Sequence, residues 1–89
     1  MRIEELMRCR VCGLWQSEPP WGTDGKTPTY DFCPCCGVEF GYGDATQEAC
    51  QKWRKKWLEA GAQWVEPKKR PKDWDLRKQL RAIGIELKE

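Results

Sequence analysis

Two segments of this chain share one pattern: Cys9-Arg10-Val11-Cys12-Gly13 and Cys33-Pro34-Cys35-Cys36-Gly37. Each reads C-x2-C-G, and 20 residues separate Cys12 from Cys33. Two sulfurs three positions apart on a tight turn can reach one ion. The glycine permits the left-handed backbone that brings amide N–H groups toward sulfur. Two such knuckles complete a tetrahedron of thiolates, which suits zinc and leaves no open coordination position. The spacing predicts one structural zinc ion on Cys9, Cys12, Cys33 and Cys36, with iron as the alternative metal. Cys35 falls in the variable slot of its knuckle and is expected to be a bystander. Cys50 is expected to be a small buried hydrophobe. A redox pairing of Cys35 with Cys50 is the other reading.

Disulfides are the competing use of six cysteines, and compartment decides between the two. The N-terminus MRIEELMRCRVCG has no apolar h-region and no small-residue cleavage site. No run approaches the roughly 20 apolar residues of a membrane span. The chain is therefore expected in the cytoplasm, where C-x2-C pairs are more often metal ligands. A chain of 89 residues has a thin core, and a bound metal would supply folding energy.

Little else offers catalysis. Histidine is absent and Ser17 is the only serine, so no Ser-His or Cys-His arrangement is possible. Gly41-Tyr42-Gly43-Asp44 opens a helix without the lysine of a phosphate loop. Glu39 and Asp44 read as ordinary surface carboxylates. A closed tetrathiolate also lacks the position that catalytic zinc keeps for water. The chain is expected not to be an enzyme.

The elements that must position the cysteines follow from pattern. One domain over 1–89 is expected, with a zinc ribbon over 9–42 and a helical part after it. Ile3, Leu6 and Met7 suit one helical turn. Tyr30-Asp31-Phe32 and Val38-Glu39-Phe40-Gly41-Tyr42 suit short antiparallel strands, and residues 18–25 suit a loop. A helix is expected over 45–60, with Asp44 and Gln47 as a capping box and Gly61 as its stop. Cys50, Trp53 and Trp57 form its apolar stripe. Residues 66–72 form a basic connector. A C-terminal helix over 74–84 is capped by Asp73 or Asp75 and buries Leu76, Leu80 and Ile83. The fold class is thus a small α+β zinc ribbon followed by two helices.

The two C-x2-C-G knuckles resemble a zinc ribbon and are similar to those of rubredoxin, which holds a single iron; the rubredoxin likeness implies an electron carrier. The string Phe32-Cys33-Pro34-Cys35-Cys36-Gly37-Val38-Glu39-Phe40-Gly41-Tyr42, followed by a Trp-containing helix, is similar to small bacterial cysteine-rich CPCC-type proteins. Some of these resemble immunity proteins encoded beside toxins. That resemblance implies a protein that binds and neutralises a toxin domain, with a metal in the knuckles.

Charge separates two binding classes. Residues 1–44 carry four Lys/Arg and seven Asp/Glu, a net −3, and residues 45–89 carry twelve and seven, a net +5. Trp15 and Trp21 lie in a loop-rich segment with Glu18, Asp24 and Asp31. These five are the expected partner surface, since interfaces favour Trp, Tyr and Arg. A nucleic-acid-binding ribbon is the alternative. It would use Lys52, Arg54, Lys55, Lys56, Lys68, Lys69, Arg70 and Lys72 on phosphates, and Trp53, Trp57, Trp64 and Trp74 on bases.

Overall fold

The computed structural model describes residues 3–86; residues 1, 2 and 87–89 of the expected domain lie outside the described residues. The elements are α1 (Ile3–Met7), α2 (Gln47–Glu59), a 3-10 turn (Pro67–Lys69) and α3 (Leu76–Arg81).

Between α1 and α2 the chain makes two loops on the same plan. In the first, Cys9 N donates to Leu14 O and Gly13 N to Cys9 O, both at 2.9 Å; in the second, Cys33 N donates to Val38 O and Gly37 N to Cys33 O, again at 2.9 Å. Gly13 (φ 86°) and Gly37 (φ 79°) hold the left-handed conformation that closes each loop. One antiparallel bridge flanks each, Arg8 with Trp15 and Phe32 with Glu39, in equivalent register. Short strands are expected here, yet the pairing stops at one bridge per loop and no regular strand occurs among the described residues. The sequence explains the brevity. Pro19-Pro20 follow the first bridge, Pro28 precedes the second, and proline cannot donate to a ladder. Tyr30 (φ 63°) and Gly41 (φ 95°) then turn the backbone out of extended geometry on either side of the second loop.

α2 begins two residues later than the capping pattern predicts. Thr46 is its N-cap, with Oγ1 accepting from Ala49 N at 3.0 Å, and Glu48 sits in the first turn. Asp44 is displaced from that role and is not a surface residue. It is fully buried, with Oδ1 accepting from Gly41 N at 2.7 Å and Oδ2 from Trp21 Nε1 at 2.9 Å. A distant indole outcompetes the local cap. The helix ends where Gly61 predicts. Ala62 N donates to Trp57 O and Gly61 N to Leu58 O, the paired bonds of a Schellman end.

α2 lies on the two loops. Cys50 and Trp57 are buried, and Trp53 lies at the edge of the stripe with its Nε1 donating to Cys36 O at 2.9 Å. After α2 the chain runs along the second loop, where Val65 N donates to Cys35 O and Glu66 N to Pro34 O. The 3-10 turn interrupts the connector over 66–72. α3 is shorter than the expected 74–84 helix. Asp75 caps it by accepting from Lys78 N, and Gly84 (φ 80°) follows its end. Trp74 stands before the helix, edge-on to the buried Trp64 with centroids 5.6 Å apart. Trp64 Nε1 has no hydrogen-bond partner among the described residues. Leu80 is fully buried. The core gathers five of the six cysteines from the two loops with Val11, Val38, Phe40, Cys50, Trp57 and Trp64.

Candidate metal centre

The loops bring the four expected ligands together. The sulfurs of Cys9, Cys12, Cys33 and Cys36 all lie within 4.8 Å of one another. Two edges of the cluster cross between loops: Cys9 Sγ to Cys36 Sγ at 3.7 Å and Cys12 Sγ to Cys33 Sγ at 3.6 Å. Tetrahedral zinc, with Zn–S of about 2.3 Å, requires S···S edges of about 3.8 Å. The spacing therefore fits a metal ion bound by four thiolates. Cys9, Cys12 and Cys33 are fully buried and Cys36 is 5% exposed. Hydrogen bonding with Cys33 pushes the Cys12 thiol well above the usual range, and the same bond holds Cys33 well below it. A divalent cation at the centre favours the thiolate at every position.

Two glutamines bond to the cysteine loops, Gln16 to a sulfur of the cluster and Gln79 beside it, and the sequence gives no local sign of either. Gln16 Nε2 donates to Cys33 Sγ at 3.5 Å and to Leu14 O at 3.2 Å. Gln79, on α3, donates to Cys12 O at 3.1 Å and to Cys35 Sγ at 3.5 Å, and its Oε1 accepts from Trp74 Nε1 at 2.7 Å. Arg54 on α2 donates through Nε to Val11 O at 2.7 Å and through Nη2 to Arg10 O at 3.1 Å. Both helices thus hold the backbone of the first knuckle. Cys35 is fully buried beside the cluster but outside the ligand set. Cys50 sits apart, its Sγ donating to Asp44 O at 3.6 Å; burial, then the Asp44 charge, pushes its thiol up.

The five expected partner residues separate into two groups. Trp15, Glu18 and Asp31 line one cleft of about 510 Å³. Trp21 and Asp24 lie elsewhere. Trp21 is held by Asp44 and lies under the Arg10 guanidinium at 4.1 Å. Asp24 closes its own loop, accepting from Lys26 N, Thr27 N and Thr27 Oγ1, and the Lys26 bond, ahead of the Thr27 hydroxyl, holds its carboxyl below the usual range. Among the residues of the nucleic-acid alternative, Arg54 is turned inward. Lys52 pairs with Glu48 at 3.3 Å and Lys69 with Glu66 at 3.5 Å. The indoles of Trp53, Trp57 and Trp74 all donate hydrogen bonds within the chain.

No helix among the described residues is long and apolar enough to cross a membrane. No protein-family model matches the chain, and no solved structure matches it. Two proteins of Bacillus subtilis (strain 168) are similar to it. "Uncharacterized protein YozI" is 29% identical over 87 residues, covering 80% of this chain and 72% of that protein. "Uncharacterized protein YoaQ" is 30% identical over 111 aligned positions, covering 96% of this chain and 92% of that protein. At this identity, over nearly the whole of both proteins, the chain belongs to the family of YoaQ.

Proposed function

We propose that the chain is a non-enzymatic protein-binding module of the cytoplasm, stabilised by one zinc ion in a ribbon-like pair of knuckles. The observation that carries this reading is the closure of the site. Four buried sulfurs within 4.8 Å of one another would fill the coordination shell of one zinc ion, which would then keep no position for water or substrate. The metal then serves folding, and the work falls to the surface. Trp15 and Phe32 are 48% and 64% exposed, next to Glu18 and Asp31. Large exposed aromatics beside charge are the composition of interface hot spots. In its sharper form the reading is an immunity protein that occludes a toxin domain. The likeness of the CPCCG segment to CPCC-type proteins supports it, and an acidic aromatic surface suits a basic partner.

Nucleic-acid binding is the second reading, favoured by Lys55 and Lys56, which are exposed on α2. A nuclease-treated pull-down from the native cell, with the retained proteins identified, tests the first reading. One stoichiometric protein is expected, and a toxin domain would establish the sharper form. Capture of ribosomal or transcription proteins alone, and only when nuclease is omitted, would sink it. In that case Lys55→Glu with Lys56→Glu should weaken polynucleotide binding and flatten its salt dependence. Elemental analysis separates zinc from the iron of a rubredoxin-like carrier.

A further inference from the structure

We infer that the cleft between the two cysteine loops is the docking site for a basic, extended segment of a partner protein. The inference rests on the protein-binding reading above and names the surface and its occupant.

The cleft holds about 510 Å³. Its walls are the chain leaving the first knuckle, the chain entering the second, and the connector at Glu66, Lys69 and Pro71. Phe40 and Trp64, 2% and 7% exposed, form its base, while Trp15 and Phe32 stand exposed on its rims. Tyr30 (φ 63°) immediately precedes Asp31 and Phe32. A bulky residue keeps that conformation only where its surroundings impose it, and here the turn sets both residues on the rim.

Charge selects the occupant. Glu66 is paired with Lys69 at 3.5 Å. Glu18 and Asp31 have no ion pair among the described residues, so the cleft presents two unmatched carboxylates between aromatic faces. Arginine satisfies both features, because it pairs with carboxylates and stacks on rings. The chain already uses that contact on itself, with Arg8 over Trp15, Arg10 over Trp21 and Arg70 over Trp74. Among the described residues no arginine lies over Phe32 in this way. The size favours an extended segment, since a single helical turn, about 10 Å across and 5.4 Å long, would fill the volume.

The test titrates metal-loaded, isotope-labelled protein with an alternating Arg-Gly peptide, its citrulline counterpart and single-stranded RNA. The arginine peptide is expected to bind at least about tenfold tighter than the citrulline peptide, with shifts centred on Trp15, Phe32 and Trp64. Glu18→Gln with Asp31→Asn should weaken it about fivefold. Trp15→Ala or the more exposed Phe32→Ala should weaken it about tenfold at unchanged metal content. Equal affinity for the two peptides, shifts centred on α2, or preference for RNA would overturn the inference. A stoichiometric cellular partner held equally by wild type and by the double carboxylate variant would also overturn it while leaving the protein-binding reading standing. Failure of the wild type to hold any protein would sink that reading, and this inference with it.

Discussion

Trp21 donates its indole N–H to Asp44 at 2.9 Å across 23 positions of sequence, and Asp44 takes the Gly41 N–H at 2.7 Å with its other oxygen. This carboxylate is fully buried and ties the loop around residue 21 to the entry of α2. Asp44→Ala removes both acceptors and strands two donors, so about 2–4 kcal/mol of stability should be lost. Asp44→Asn keeps one acceptor and should cost about 1–2 kcal/mol. Trp21→Phe should cost about 1 kcal/mol, and the Trp21/Asp44 cycle should show a coupling of about 1 kcal/mol by urea unfolding of the metal-loaded protein. Additive effects would mean the bond is not formed in solution.

Three glycines with positive φ give a graded series, because the space beside each differs. A methyl group at Gly84 (φ 80°) meets nothing within 4 Å, so Gly84→Ala should cost only the backbone term, about 1–2 kcal/mol. At Gly37 the methyl lands 2.6 Å from Val65 Cγ2, a side chain that can turn, and about 2 kcal/mol is expected. At Gly13 it overlaps the Gln79 carbonyl oxygen, which belongs to the backbone of α3. Gly13→Ala should therefore cost more than about 3 kcal/mol and detach α3. Thermal unfolding with amide exchange of α3 checks the order; equal costs at all three positions would contradict the packing of α3 on the first knuckle.

What was legible in the sequence was what is encoded locally. The C-x2-C-G repeat marks the four cysteines that meet in one cluster because knuckle geometry is set within five residues. Gly61 marked the end of α2 for a similar reason. The capping signal at Asp44 is local, whereas its actual partner, Trp21, lies 23 residues away. Gln79 carries no sequence signal; its bond to Cys12 O spans 67 residues and exists only once α3 has docked. The expected strands shrank to single bridges because alternation of apolar residues says nothing of a Tyr30 held at φ 63°.

Gln79 joins α3 to the first knuckle through Cys12 O, Cys35 Sγ and Trp74 Nε1. Gln79→Ala leaves those groups without that partner and should cost about 1–3 kcal/mol. Groups that orient metal ligands commonly change metal affinity about 10–100-fold when removed. Transfer of metal to a chromophoric chelator should therefore accelerate in Gln79→Ala. Unfolding of the variant with an unchanged metal-transfer rate would show that Gln79 serves the helix alone.

The cysteines should divide by role. Cys12→Ser removes one of four donors, so the metal content should fall from one per chain and the fold should be lost with it. Cys35→Ser should retain the metal, because Cys35 is buried outside the ligand set. Cys50 gives a pH signature of opposite sign to the ligands. Burial, then the Asp44 charge, raises its pKa above the unfolded value of about 8.5, so the neutral thiol stabilises the fold fully below that pH. Its contribution is lost as pH rises through the elevated value, whereas acid releases the metal by protonating the ligand thiolates. Stability of the Cys50→Ala variant should therefore converge on that of wild type as the solution becomes alkaline. Alkylation of Cys50 in the metal-loaded protein should be negligible at neutral pH, and rapid alkylation there would show that α2 does not keep the thiol covered.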